Sequence, residues 1–306
     1  MSEGENPRAQ ALVSVLTSLP ETMFAVLDGA HFDDLPAHLS EAGISYEPLF
    51  LEGAHPSSRA SGPHLVHLSG AEDAERVVNA VGDRAAVVFW SWPGDQDSIF
   101  KHLRGLNMVQ IPRTAPVPPD VDPATLEPFE TVFFRHADPN VMVALLPLLS
   151  DAQMSRLLGQ AQGLVVEASD FNSRGTVRRP AGLPKATPGM LQLTQKQYDA
   201  LSDRLAKGQR NRLRRYLRRN PPPTGQLEAR KLDAVMDQSA RTGADIGFKT
   251  EQGHARWAYL MQVTDGKVAR MPEVRSLMRR EGADPDRDVS KLMDVIVAQL
   301  RAKAPR

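Results

Sequence analysis

The first 170 residues alternate short apolar runs with amphipathic stretches. Seven runs rich in branched and aromatic residues are bounded by glycine, proline or aspartate, which is typical of buried strands. They begin at Met23, Tyr46, His64, Ala86, Asn107, Thr131 and Leu164. Helical patterns lie between several of them, over residues 33–42, 71–81, 95–106 and 139–149. This alternation predicts an α/β lobe over residues 1–170, with a mixed central sheet flanked by helices.

The remaining residues divide into a connector and a helical part. Residues 171–189 are rich in glycine, proline and basic residues and lack apolar periodicity, which predicts a linker. From residue 190 to 306 the apolar positions follow helical spacing. The first of these helices is expected to start at Thr194, with Gln197 completing a capping box. The sequence therefore predicts an all-α C-terminal lobe over residues 190–306.

Composition and charge narrow the classes of function. Lysine plus arginine equals aspartate plus glutamate at 37 each, so no net charge draws the chain to nucleic acid or an anionic membrane. The absence of cysteine excludes disulfides and thiolate chemistry and fits a reducing compartment. No signal-peptide pattern opens the chain, and no apolar stretch approaches the roughly 20 residues of a membrane span. We therefore expect a cytoplasmic protein.

The candidate catalytic patterns are weak. Ser98 and Lys101 have the S-x-x-K spacing of serine acyl enzymes, but the partner motifs of those enzymes are missing. His136 and Asp138 resemble a general base and the residue that orients it, yet Asp138-Pro139 is also ordinary helix-start chemistry. We expect no catalytic residues, no cofactor and no metal. A hydrolase built on Ser98 and Lys101, or on the His136 turn, is kept as the alternative.

One predicted helix concentrates positive charge. Eight cations follow one another without an intervening acid: Arg204, Lys207, Arg210, Arg212, Arg214, Arg215, Arg218 and Arg219. One hypothesis makes this helix a docking face for an acidic partner, through Arg204, Lys207, Arg210, Arg214, Arg215 and Arg218. A second pairs the same residues with the acid-rich N-terminal part of the chain. A nucleic-acid-binding role ranks third, because the chain carries no net positive charge overall.

Six short segments together resemble a known family. In chain order they are residues 25–30 (AVLDGA), 46–50 (YEPLF), 62–66 (GPHLV), 102–104 (HLR), 134–142 (FRHADPNVM) and 145–147 (LLP). Their order and spacing are similar to the type VI secretion effector chaperones, also called adaptor proteins. The chain departs from the family pattern at His136-Ala137, at Asn140 and at residues 158–160.

The resemblance implies binding and not catalysis. Family members hold a cognate effector in the cytoplasm and help to load it onto the VgrG spike, so an effector and VgrG are the expected partners. The matching positions that we interpret as framework are Asp28, Gly29, Arg104, Arg135, Asp138 and Pro139. Asp138 is expected to cap the helix that Pro139 begins. Arg135 is expected to pair with Asp138 or with Asp28.

Overall fold

A computed structural model describes residues 7–19, 21–50, 59–114, 122, 126–222 and 225–303. The chain divides into two compact units, Met1–Gly208 and Gln209–Arg306. The boundary falls inside one long helix. We call the first the α/β unit and the second the helical unit.

The α/β unit contains two sheets in its described part. The nine strands are β1 (Thr22–Asp28), β2 (Glu47–Pro48), β3 (Pro63–Leu68), β4 (Val87–Trp92), β5 (Met108–Pro112), β6 (Phe129–Phe133), β7 (Gly163–Ala168), β8 (Ser173–Arg178) and β9 (Leu191–Gln192). The larger sheet has the order β2-β3-β1-β4-β7-β8, and its neighbouring strands pair antiparallel. The smaller sheet, β6-β5-β9, combines an antiparallel and a parallel pair.

Helices cover both faces of the larger sheet. They are α1 (Pro7–Thr17), α2 (Leu35–Glu41), α3 (Ala71–Val81), α4 (Gln96–Arg104), α5 (Pro139–Leu145) and α6 (Asp151–Leu158). One face packs on α1, α2 and α3 through residues such as Ala25 and Leu27, while the other packs on α4, α5 and α6 through Phe24 and Val26. This follows from the alternation of side chains along β1, which is buried on both faces.

In its described part, the helical unit is built from the end of α7 (Gln195–Arg219) and four further helices. These are α8 (Ala229–Ile246), α9 (Glu251–Val263), α10 (Pro272–Arg279) and α11 (Pro285–Lys303). Trp257, Leu260 and Met261 of α9 lie at the centre of its core. Helix α8 ends at Gly247, whose left-handed backbone (φ 91°) suits glycine at a helix C-terminus.

The predicted fold class is confirmed: sheets and helices form the first part, and the described residues from 195 onward are helical. Three predictions were wrong in detail. Residues 171–189 are not a simple linker, because Ser173–Arg178 forms strand β8 against β7. Residues 191–192 form strand β9 and not helix, and the compact units meet at residue 208 rather than in the predicted linker. Helix α1 was also not anticipated.

Candidate functional site

A buried cluster of charges lies where β1 ends. Asp28, the last residue of β1, is 4% exposed, and its Oδ2 accepts hydrogen bonds from Nε (3.0 Å) and Nη2 (2.7 Å) of Arg135. Its Oδ1 accepts from the backbone N–H of Ala30 at 3.0 Å and so caps a short 3-10 turn. Both carboxylate oxygens are therefore satisfied, as a buried charge requires.

Asp138 joins the same cluster from the start of α5. Its Oδ1 accepts the backbone N–H of Asn140 at 2.8 Å, so it caps the helix with Pro139 in the first turn. Its Oδ2 lies 3.4 Å from Nη2 of Arg135 and 3.7 Å from Nε2 of His31. We call Asp28, His31, Arg135 and Asp138 the ion-pair node. Arg135 thus contacts both aspartates that the sequence offered as alternatives.

The environment of Asp138 favours its charged form. Burial acts to raise the pKa of this carboxyl, but the hydrogen bond from His31, the positive charge of Arg135 and the backbone N–H of Asn140 outweigh it. The net result is a pKa below the ordinary value of 3.8. Asp138 is therefore ionised at neutral pH and holds the guanidinium in place.

Gly29 has a steric reason to be glycine. A Cβ at this position would lie 2.1 Å from the carbonyl oxygen of Ala60 and 2.8 Å from that of Gly62. The Gly29 N–H donates to the Gly62 carbonyl at 3.0 Å. Close backbone approach, and not a positive φ, therefore explains the Asp-Gly pair that follows β1.

The node also has the composition of a metal site. Asp28, His31 and Asp138 each place one possible ligand atom within 4.8 Å of the others. However, the guanidinium of Arg135 already supplies a positive charge to both carboxylates, at 2.7 and 3.4 Å. The geometry therefore supports an ion-pair framework better than a cation site.

Residues 134–140, which follow β6 and enter α5, connect parts of the chain that are distant in sequence. Nε2 of His136 donates to Oδ1 of Asn107 at 3.0 Å, and Nδ2 of Asn107 donates to the Leu49 carbonyl at 2.8 Å. Oδ1 of Asn140 accepts the backbone N–H of Asp170 at 3.0 Å. This segment therefore connects the residues after β2, before β5 and after β7. Contacts of this kind stabilise the fold.

The two histidines next to this framework are neutral at pH 7. Burial lowers the pKa of His136 to about 3, and the nearby His102 contributes a smaller effect in the same direction. Burial likewise lowers the pKa of His102 to about 4. His136 is fully buried and hydrogen-bonded to Asn107, whereas Asp138 contacts Arg135 and His31. The candidate general base and the residue expected to orient it therefore contact different partners.

Ser98 and Lys101 lie on α4, where the hydroxyl of Ser98 serves local structure. Its Oγ donates to the Asp95 carbonyl at 2.8 Å and accepts from Nε1 of Trp92 at 2.9 Å. The backbone N–H of Ser98 is capped by Asp95 at 2.9 Å. The contacts of this serine are those of a helix start.

A small pocket opens beside the node. It has a volume of about 240 Å³ and is lined by Asp28, Phe50, Pro63, Phe133 and Arg135, among others. The ring of Phe133 is 70% exposed, and its centroid lies 5.5 Å from that of Phe50. The pocket rim therefore combines one exposed aromatic ring, that of Phe133, with the half-exposed guanidinium of Arg135.

Several of the α7 cations that the sequence assigned to a docking face make contacts within the chain. Arg204 donates to the Val143 carbonyl at 3.2 Å. Arg210 pairs with Asp237 at 2.6 Å, and Arg214 pairs with Asp233 at 2.7 Å. The counter-ions of Arg210 and Arg214 therefore come from α8 and not from the acid-rich N-terminal part, and the docking role of these two arginines stays a prediction.

The other predicted positions are dispersed. Lys207 and Arg218 are exposed, whereas Arg215 is partly buried. Arg104 lies at the end of α4, with its guanidinium 5.4 Å from the ring centroid of Phe100, and takes no part in the node contacts described above.

Sequence reasoning missed three functional side chains of the framework. His31 and Asn107 were not singled out, and Asn140 was noted only as a departure from the family pattern. No local pattern identifies them, because each makes its contact with a residue at least 29 positions away. The position of His31 just after the Asp28-Gly29 pair is the one available signal.

One comparison with known proteins gives a match. Residues 23–156 match the model of a family described as a domain of unknown function (DUF4123), a segment that covers less than half of the chain. It runs from β1 into α6 and contains the whole ion-pair node. No curated protein and no solved structure matches the chain. Among the described helices, none is both long and apolar enough to cross a membrane.

Proposed function

We propose that this chain is a non-catalytic adaptor that binds a cognate type VI secretion effector in the cytoplasm and promotes its loading onto the VgrG spike. The observation that carries the proposal is the family match over residues 23–156. It covers all six segments that resemble the type VI secretion adaptor family, including residues 134–142.

The side-chain contacts support a binding role over a hydrolytic one. The hydroxyl of Ser98 is bonded within the start of α4, and His136 is buried with its Nε2 bonded to Asn107. The charged residues of the motif are occupied with one another in the ion-pair node. The exposed features next to them, Phe133 and the pocket rim, suit a protein partner.

Affinity purification from the native host tests the proposal. Tagged protein is expected to bring down one large effector and VgrG, as identified by mass spectrometry, without added nucleic acid. Deleting the gene is expected to leave the effector in the cell and to abolish its secretion, and a plasmid copy should restore it. Recovery of nucleic acid with neither effector nor VgrG would overturn the proposal and favour the arginine-helix alternative.

A matched pair of variants locates the binding surface. Phe133→Ser removes the exposed ring at the pocket rim, and Met190→Ser removes an exposed apolar side chain that does not line the pocket. We expect Phe133→Ser to keep the melting temperature and to lose effector recovery. Equal recovery with both variants would place the effector elsewhere on the adaptor.

A further inference from the structure

Strand β8 leaves a free edge on the larger sheet. Among the described strands, only β7 pairs with it. At the opposite edge of the same sheet, β2 has only two residues, and one of them is Pro48. Short strands and proline are devices that protect a sheet edge. By contrast, β8 has six residues and no proline, so it presents the longer unprotected edge.

The register identifies which backbone groups point outward. The N–H of Arg179 donates to the Gln162 carbonyl at 2.8 Å, in line with the pairing of Arg178 with Gly163. In an antiparallel pair, alternate residues bond to the neighbouring strand. The backbone N–H and C=O groups that point toward β7 are therefore those of residues 173, 175, 177 and 179. The N–H and C=O groups of Arg174, Thr176 and Arg178 point away from the sheet.

The edge is accessible and firmly held. Arg174, Gly175 and Arg178 are exposed, and a Cβ added to Gly175 would meet nothing within 4 Å. Val177 packs against the core cluster on one face of the sheet, so the strand is anchored where it faces inward. An added strand would therefore pair with an ordered β-strand and not with a loop.

The charge of this region is one-sided. Residues 172–189 contain Arg174, Arg178, Arg179 and Lys185 and no acid. Arg174 pairs with Glu167 at 2.9 Å, whereas Arg178 lies opposite Gly163, which offers no charge. A second copy of β8 paired antiparallel about Thr176 would set Arg174 against Arg178, and like charges in opposition are destabilising. The edge therefore favours an acidic partner over its own copy.

We propose that the outer edge of β8 binds an extended acidic segment of the effector as a seventh strand of the sheet. Backbone hydrogen bonds to residues 174, 176 and 178 provide the binding, and the arginines select glutamate or aspartate on the added strand. This inference rests on the proposed adaptor function. It names a surface outside residues 23–156, which is where the family match ends.

Synthetic peptides test the chemistry on the full chain. The probe is a peptide of about nine alternating glutamate and valine residues, a typical strand length, and its binding is followed by fluorescence anisotropy. A lysine–valine peptide reverses the charge. A glutamate–proline peptide keeps the charge but has no strand geometry. We expect only the glutamate–valine peptide to bind measurably.

Two variants separate the backbone from the charge. Thr176→Pro removes an outward N–H that β7 does not use, so the β7–β8 ladder is retained. Thr176→Val keeps that N–H and is the matched control. We expect Thr176→Pro to weaken binding at least about tenfold, Arg178→Glu to weaken it several-fold, and Thr176→Val to change nothing. Circular dichroism and the melting temperature verify that each variant is folded.

The possible outcomes distinguish strand addition from charge attraction, from self-association and from failure of the adaptor function. Binding that survives Thr176→Pro but falls with Arg178→Glu would reduce the edge to charge attraction and overturn the strand proposal. A concentration-dependent dimer that Thr176→Pro abolishes would assign the edge to a second copy. Effector that co-purifies equally with wild type and Thr176→Pro would overturn the edge while leaving the adaptor function intact. No effector recovered with wild type would instead overturn the adaptor function itself.

Discussion

The two units use ionic contacts in different ways. In the α/β unit, Arg135 meets Asp28 across 107 positions of sequence, and the aspartate side chain is only 6% exposed. In the helical unit, Arg214 meets Asp233 across 19 positions, and that aspartate side chain is 40% exposed. The buried Asp288 of the helical unit also pairs locally, with Arg280 eight positions away.

This difference has an energetic consequence. A buried carboxylate that loses its partner keeps an uncompensated charge, whereas an exposed pair is replaced by water at little cost. The α/β unit therefore depends on contacts that only the completed fold provides. Most of the described ion pairs of the helical unit are exposed, apart from that of the buried Asp288, so this unit depends mainly on its apolar core. The following predictions test this contrast, beginning with the largest effect.

Replacing Arg135 by leucine should give the largest loss. Asp28 and Asp138 would remain buried without their cation, and we expect the α/β unit to lose about 3 kcal/mol of unfolding free energy. Urea denaturation measured by tryptophan fluorescence in a Trp257→Phe background reports on this unit, because Trp90 and Trp92 then remain. Arg104→Leu is the control and should cost about 1 kcal/mol or less. Equal losses of unfolding free energy in Arg135→Leu and Arg104→Leu would contradict the importance of the buried ion pairs in the α/β unit.

Replacing Gly159 by alanine should come next. Gly159 has φ +58°, and a Cβ there would lie 2.4 Å from Cε1 of the half-buried His102 ring. We expect a loss of about 2–3 kcal/mol from backbone strain and overpacking together. Gly247→Ala in the helical unit is matched, since φ is +91° but the Cβ meets nothing within 4 Å. It should cost only about 1 kcal/mol. Thermal denaturation of both variants isolates the packing contribution.

Replacing Asp138 by asparagine should have an intermediate and pH-dependent effect. Asparagine still caps α5 but loses the charge that faces Arg135 and His31, at a cost of about 1–2 kcal/mol at pH 7. The folded pKa of Asp138 lies below 3.8, so its contribution is complete above that pH and is lost as the pH falls through the folded value. The difference in stability between wild type and variant should vanish in acid. A constant difference would contradict the charge assignment.

Replacing Asp233 by asparagine should have a small effect. Its contacts with Arg214 and Arg210 are exposed and screened by salt. We expect a slight fall in the melting temperature at low ionic strength and none at 1 M salt. A large fall that persists in high salt would show that the helical unit also relies on its ion pairs.

Replacing Arg218 by glutamate should leave stability unchanged and test the docking hypothesis for α7. Arg218 is exposed, whereas Arg214 is bound to Asp233. Effector recovery that falls with Arg218→Glu at unchanged melting temperature would support a partner surface on this helix. Arg214→Glu, by contrast, should lower the melting temperature, since it sets two acids against each other. Unchanged recovery with Arg218→Glu would leave this end of the helix as a solvated face.

The sequence by itself determined the features that depend on near neighbours. Apolar periodicity located β1, β3, β4 and most helices, and capping chemistry located Asp138-Pro139 and the start of α7 near Thr194. The order of six short segments indicated the family-like region, which the match over residues 23–156 supports. The periodicity and capping signals arise within one turn or strand, where the physical rule needs only the local residues.

Tertiary structure alone decided the rest, because those contacts join distant residues. Strand β8 has a glycine and exposed arginines, so its sequence resembles a loop until β7 supplies hydrogen-bonding partners. The sequence offered Asp28 and Asp138 as alternative partners of Arg135. Because the fold brings β1 and the start of α5 together, Arg135 contacts both. Arg210 and Arg214 found their acids on α8, which no spacing within α7 could reveal. A polar side chain binds whatever the fold places within reach, and the sequence pattern does not encode that distance.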